Sequence, residues 1–275
     1  MALRAGTVFH GTLGQPTAQV IDGSLKFEND SSTYLSRTPS SAGNRKTWTV
    51  SFWVKICKTS GYIYLMNCEN TNRFYLLYQS GYITLFNTSG VKLSPDRIFR
   101  DHSAWYHMVI AFDTTQSTST DRLKWYINGE EVSDYRTNNT TYPSQNDQTE
   151  WNTATAHEIG SRNGGSFGGI DYYLTDFYFI DGQALDESYF GFTDPLTNTW
   201  SPKKYTGTFG TNGFFLPMDN QDNFEKDKSG NGYDWTKNNF SGTSIDPDVV
   251  KDSPSGAVFG GRGQTGITTT SSAPS

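Results

Sequence analysis

Between Thr47 and Lys55 the chain reads TWTVSFWVK: Trp48, Val50, Phe52 and Val54 alternate with Thr47, Thr49, Ser51, Trp53 and Lys55. A side-chain period of two predicts a strand with one face on a core and the other towards solvent. The runs GYIYLM, RFYLLY and YITLF follow at short intervals, separated by Gly, Asn and Ser. WYHMVIAFD (105–113) then leads through the polar loop TTQSTSTD into RLKWYINGEEV, where Asn128-Gly129 fits a type I′ hairpin turn. DYYLTDFYFIDG ends on Asp181-Gly182, and ALDESYF (184–190) is the one helical turn the pattern predicts. Short strands at this spacing predict an all-β, two-sheet antiparallel sandwich and argue against parallel βαβ units.

The two ends differ from the middle. Residues 1–22 are small and polar with scattered apolar positions and read as an extended N-terminal arm; the sandwich is expected over 23–200. Residues 201–275 are rich in Gly, Ser, Thr and Asn, apart from one further strand candidate in TGTFGTNGFFLPMD. So few apolar side chains do not offset the entropy of ordering a segment, so this irregular C-terminal tail is expected to be ordered by neighbouring subunits.

Composition narrows the partners. With 22 Lys and Arg against 28 Asp and Glu, the net charge of −6 disfavours nucleic acid and anionic membranes. The 18 Phe, 16 Tyr and 7 Trp suit half-buried strands. No apolar run approaches a membrane span, and the first residues lack the apolar stretch of a signal peptide. The two cysteines, Cys57 and Cys68, are placed on the arms of a hairpin turning near Lys58–Gly61, out of register with each other, and are expected to be free thiols.

The blocks SLKFENDSSTYLSRTPSSAGNRKTWTVSFWVK (24–55), WYHMVIAFD, DRLKWYINGEEV (121–132) and IGSRNGGSFGGIDYYLTDFYFIDGQAL (159–185), in this order, resemble laminin-G-like, concanavalin-A-type jelly-roll domains. Together with DPLTNTWSPKKYTGTFGTNGFFLPMDN and DKSGNGYDWTKNN, they resemble the version found in virion structural proteins of tailed bacteriophages, notably marine ones. That resemblance spans about 23–239. It implies a non-enzymatic tail, fibre or head-surface component, made in the host cytoplasm and exposed on the particle. Its implied partners are copies of itself, other virion proteins and, as the alternative reading, a host-surface glycan.

Enzyme chemistry finds little support in the residues. Glucan hydrolases of this superfold carry carboxylates spaced E-x-D-x-x-E on one strand; here Glu28 and Asp30 are followed by Thr33, and Asp171 and Asp176, an odd number apart, fall on opposite faces. No G-x-S-x-G elbow occurs, and His107 and His157 read as structural. Asp113 and Asp171 are the weak candidates for a rim Ca²⁺, with strand-end turns as the plainer reading. GSRNGGSFGG (160–169) leads into a strand, not a helix, and so offers an anion no helix N-terminus. For a glycan the candidates are Tyr142, Asn146, Asp147 and Trp151, in one long polar loop with aromatic rings.

Overall fold

The computed structural model describes residues 18–28, 32–69, 72–165 and 171–255. In chain order its strands are β1 (Ser24–Phe27), β2 (Tyr34–Arg37), β3 (Thr47–Ile56), β4 (Tyr62–Glu69), β5 (Arg73–Gln79), β6 (Tyr82–Asn87), β7 (Lys92–Pro95), β8 (Tyr106–Asp113) and β9 (Leu123–Ile127). There follow β10 (Glu130–Glu131), β11 (Tyr135–Thr141), β12 (His157–Ile159), β13 (Tyr172–Asp181), β14 (Gly191–Thr193), β15 (Trp200–Pro202), β16 (Phe214–Leu216), β17 (Thr236–Asn238) and β18 (Val249–Val250). Among the described residues the helical elements are two single 3-10 turns, Ser119–Asp121 and Glu187–Tyr189; the second lies inside the predicted 184–190.

Two antiparallel sheets form, as the alternation predicts. The first runs β10-β9-β8-β3-β13-β1-β18, with β16 also on β13; the second runs β11-β7-β6-β5-β4-β12-β2-β17. Their inner faces meet in a core that holds Trp48, Phe52, Phe74, Leu85, Phe112, Trp125 and Phe179. Asn128 and Gly129 take φ of 51° and 83°, both positive as a type I′ turn requires, and join Ile127 to Glu130.

Several expectations are corrected. The face of β3 assigned to solvent is buried: Leu185 N of a third layer formed by 184–209 donates to Thr49 Oγ1, while Ser51 and Trp53 meet His107, which that layer holds through Trp200. In that layer β14 pairs with β15, and Phe190, Tyr205 and Phe209 pack on Val109, Tyr126 and Tyr178. Cys57 follows β3 while Cys68 lies in β4; these strands belong to different sheets, so they are not hairpin arms, and both thiols are free. Residues 201–255 are not an appendage, because β16 and β18 complete the first sheet, β17 the second, and Phe214, Leu216, Phe224 and Trp235 enter the core. The aromatic side chains were sufficient because the sandwich supplies the other half of their contacts. Residues 18–22 of the arm are likewise held by their own chain: Gln19 N donates to Pro202 O at 2.9 Å and Ile21 N to Ser255 Oγ at 2.9 Å. Both segments thus make contacts within their own chain; residues 1–17 and 256–275 lie outside the described residues.

The third layer is keyed by Trp200. A Cβ on Gly129 would meet its ring at 2.2 Å and one on Gly191 at 2.3 Å, so both positions need glycine for close approach. Gly129→Ala is expected to lower stability by about 1–3 kcal/mol, the usual cost of overpacking, read as a lower thermal midpoint. Gly90→Ala, with nothing within 4 Å and a comparable φ of 103°, isolates the backbone contribution.

Candidate ligand-binding face

The outer face of the second sheet is where a ligand finds side chains. Strand alternation turns Tyr62, Tyr64, Asn67 and Glu69 of β4, Tyr75 and Leu77 of β5, and Tyr82, Thr84 and Phe86 of β6 away from the core. The registers set Ser36, Glu158, Asn67, Tyr75 and Phe86 side by side in one row across five strands. Tyr75 stacks on Phe86 with centroids 4.7 Å apart, Tyr64 meets Tyr75 edge-on at 5.7 Å, and Tyr62 meets Tyr64 at 6.1 Å. Tyr62, Tyr75 and Phe86 remain half-exposed and are joined through the buried Tyr64, 8% exposed, into an aromatic strip on a face where polar residues would be the default.

Charge lies at one end of the strip. Glu69 receives Arg162 Nη2 at 2.8 Å, Arg162 Nε on its other oxygen, and Arg73 Nε at 2.9 Å. Those hydrogen bonds, Arg162 first, hold its carboxyl below the usual glutamate range. Arg162 also donates to the Tyr64 hydroxyl at 3.2 Å. Glu158 differs: burial pushes its carboxyl up, Oε1 accepts Gly164 N at 2.8 Å, and Oε2 has no partner among the described residues. Its cross-strand neighbour Asn67 likewise has an unpartnered, buried Oδ1.

These two glutamates, one raised and one lowered, are the carboxylate pair that sequence spacing missed, because they come from strands nearly ninety residues apart in the chain. They do not provide acid and nucleophile in this arrangement. Both Glu69 oxygens are held by arginine, and Glu158 Oε2 is covered. The parity argument about Asp171 and Asp176 also changes, since the core-facing positions of β13 run Tyr172, Leu174, Phe177, Phe179 across a bulge at Thr175/Tyr178.

The residues singled out from the sequence fall elsewhere. Trp151 lies in the loop but is not an exposed ring; it is 1% exposed and packed against Phe74, Phe179 and His157. Tyr142 is half-buried against Tyr135, and Asn146 and Asp147 bind their own surroundings: Lys46 Nζ donates to Asn146 at 3.4 Å, and the Ser89 hydroxyl donates to Asp147. The four therefore do not converge on one exposed surface. Asp113 accepts from Thr115 N at 3.1 Å, Thr47 Oγ1 at 3.2 Å and Gln116 Nε2 at 2.7 Å, as a strand-end turn residue does. It pairs with Thr47 at one end of β3, whereas Asp171 precedes Tyr172, which pairs with Ile56 at the other; they do not share an ion. Among the described residues no group of three or more His, Cys, Asp or Glu side chains is placed to hold a metal.

His107 is fixed by its partners. Trp200 Nε1 donates to Nδ1 at 2.9 Å, which leaves the proton on Nε2 for Ser51 Oγ at 2.9 Å. The imidazole thus donates to Ser51 and does not take its proton, and burial lowers its pKa to about 3. His157 accepts Asn152 N at 2.8 Å and donates to Thr155 O at 2.7 Å; burial lowers it to about 4.

No curated protein matches the chain. Among solved structures, a native heptameric SAP-like pentraxin from Limulus polyphemus is 18% identical over 62% of this chain and 80% of its own, with a TM-score of 0.42. The receptor binding domain of botulinum neurotoxin D is 16% identical over 64% and 44%, TM-score 0.43, and mouse laminin alpha1 domains LG4-5 are 16% identical over 64% and 46%, TM-score 0.41. The chain spans less than half the length of the last two. A laminin-G-type family model described as the concanavalin A-like lectin/glucanases superfamily matches residues 29–182, more than half of the 275. With two antiparallel sheets in a jelly-roll sandwich and this match, the chain belongs to the concanavalin A-like lectin/glucanase superfamily.

Proposed function

We propose that the chain is a non-enzymatic carbohydrate-recognition module whose binding surface is the aromatic strip Tyr62, Tyr64, Tyr75 and Phe86 on the outer face of the second sheet. One observation carries the reading: the half-exposed rings of Tyr75 and Phe86 stack, and Tyr62 joins them through the buried Tyr64, where a sheet facing water usually carries polar residues. Sugars present flat apolar C–H faces to such rings while their hydroxyls reach polar groups beside them, here Arg73 and the Arg162–Glu69 pair. The locked state of Glu69 and the tautomer of His107 favour binding over hydrolysis. The wider setting is the one the sequence resemblance implies, a multi-copy virion component of a tailed phage that displays this face to a host-surface glycan.

Tyr75→Ala is expected to weaken glycan binding at least tenfold, about 1.4 kcal/mol, while the thermal midpoint stays within a few degrees. A glycan array followed by titration of the strongest hit checks this. Unchanged affinity in Tyr75→Ala, or an array with no hit, would remove the reading. Loss of self-association in the same variant, followed by sedimentation, would reassign the strip to contacts between subunits.

A further inference from the structure

At the opposite side of β2 from this strip lies the half-buried Arg37. Arg45, Arg73 and Arg162 each hold a glutamate. Arg37 has no carboxylate within ion-pair distance among the described residues. Its guanidinium stacks over Tyr233 at 4.0 Å and donates one N–H, from Nη1, to Asn212 O at 3.2 Å. Burial lowers its pKa, an effect that Tyr233 and the Asp227 carboxylate oppose only in part, so the surroundings still disfavour the charge.

Arg37 lines a small cavity, open on one side, with room at its centre for about one water-sized group. Trp235, 4% exposed, lines it too, and its buried indole N–H has no acceptor among the described residues. Three acceptors of the lining residues are occupied within the protein. His157 Nε2 accepts Asn152 N, Asn152 Oδ1 accepts Asn212 Nδ2 at 2.9 Å, and Asn212 O accepts Arg37. Behind them, Asp181 accepts Asn44 N, Asn152 Nδ2 and Asn212 N. The cavity therefore holds a surplus of donors: a guanidinium with unused N–H groups and a buried indole N–H, each costly to leave unmet. A water satisfies the indole but leaves the charge.

We propose that this cavity is a carboxylate-binding site, in which a ligand carboxylate pairs with the Arg37 guanidinium and places one oxygen within reach of the Trp235 indole N–H. The guanidinium fork matches a carboxylate in shape as well as charge, and the central room admits one oxygen but not a sugar ring. The ligand is therefore either a small free carboxylate or the projecting carboxylate of a larger molecule such as an acidic sugar. The site lies on the core side of β2, so it is independent of the aromatic strip and stands whether or not that strip binds glycan.

The test replaces sodium chloride stepwise by sodium formate, or by sodium glucuronate, at constant ionic strength and follows the thermal midpoint of the full chain. Formate is expected to raise it by about 3 °C for each tenfold increase above its dissociation constant. A matching rise with glucuronate assigns the site to acidic sugars; a rise with formate alone assigns it to small carboxylates. The rise should vanish in Arg37→Gln and shrink in Trp235→Phe, which keeps the ring and removes the N–H. The readout is the slope with anion, so a variant that starts at a lower midpoint still reports. No rise relative to chloride in the unaltered protein, or an equal rise in both variants, overturns the proposal.

Discussion

Trp151→Ala is expected to lower unfolding stability by about 3–5 kcal/mol, the range for truncating a buried tryptophan. The ring is 1% exposed; it lies 5.8 Å from Phe74, 5.8 Å from Phe179 and 4.5 Å from His157, and so touches strands of both sheets. Its carbonyl accepts Thr149 Oγ1 at 3.0 Å, and that hydroxyl in turn accepts the Trp48 indole N–H at 3.1 Å. A cavity at this point would thus loosen the loop that closes one end of the sandwich as well as the core. Urea unfolding followed by fluorescence measures it, with an unchanged m-value showing that stability alone has moved. A loss under about 1 kcal/mol would mean that the core does not depend on this ring.

Asp176→Asn is expected to stabilise the protein above neutral pH. Asp176 sits at the bulge of β13 where β1 and β16 abut; its φ is 50° and its side chain is 3% exposed. Burial, reinforced by Asp219 and opposed by a hydrogen bond from Gln19 and by Lys204, pushes the carboxyl well above the ordinary aspartate value. Tyr178 beside it is raised by burial first and by Asp176 second. A raised acid keeps its proton in the folded chain after the unfolded chain has released it. Its contribution is therefore complete below the unfolded value and is lost as pH climbs through the folded one. The amide removes that loss, by about 1.4 kcal/mol for each unit by which the folded carboxyl is raised. Asparagine also tolerates the left-handed backbone, so no strain is added. The difference in stability between variant and parent should be small near pH 4 and grow with pH; a constant difference would show that the carboxyl is ionised in the fold.

The architecture was legible because alternation survives in nearly every strand: TWTVSFWVK, RFYLLY and YITLF each place their core residues as their pattern requires. What alternation does not show is how many layers cover a strand. Ser51 and Thr49 looked like solvent positions because their polarity is met by His107 and by the Gln183 carbonyl, 2.8 Å from Thr49 Oγ1. Trp151 looked like a loop ring because its neighbours in sequence are polar, while its neighbours in space are Phe74 and Phe179. The strip was visible residue by residue, as aromatics at the polar positions of β4, β5 and β6, but its continuity depends on cross-strand register. Arg37 gave no local signal at all. Its isolation is set by Tyr233 and Trp235, about two hundred residues later.

The placement of β1 has a kinetic consequence. Leu25 pairs with Leu174 on one side and with Val249 on the other, so a strand emerging early from the ribosome meets its first partner only after most of the jelly roll exists, and its second later still. Closure at such sequence separation is slow, and until it occurs the edge of β13 is available to any extended peptide. Synthesis at high local concentration would then favour exchange of that strand between nascent copies, and slowing translation ahead of residue 174 would lengthen the interval in which this happens.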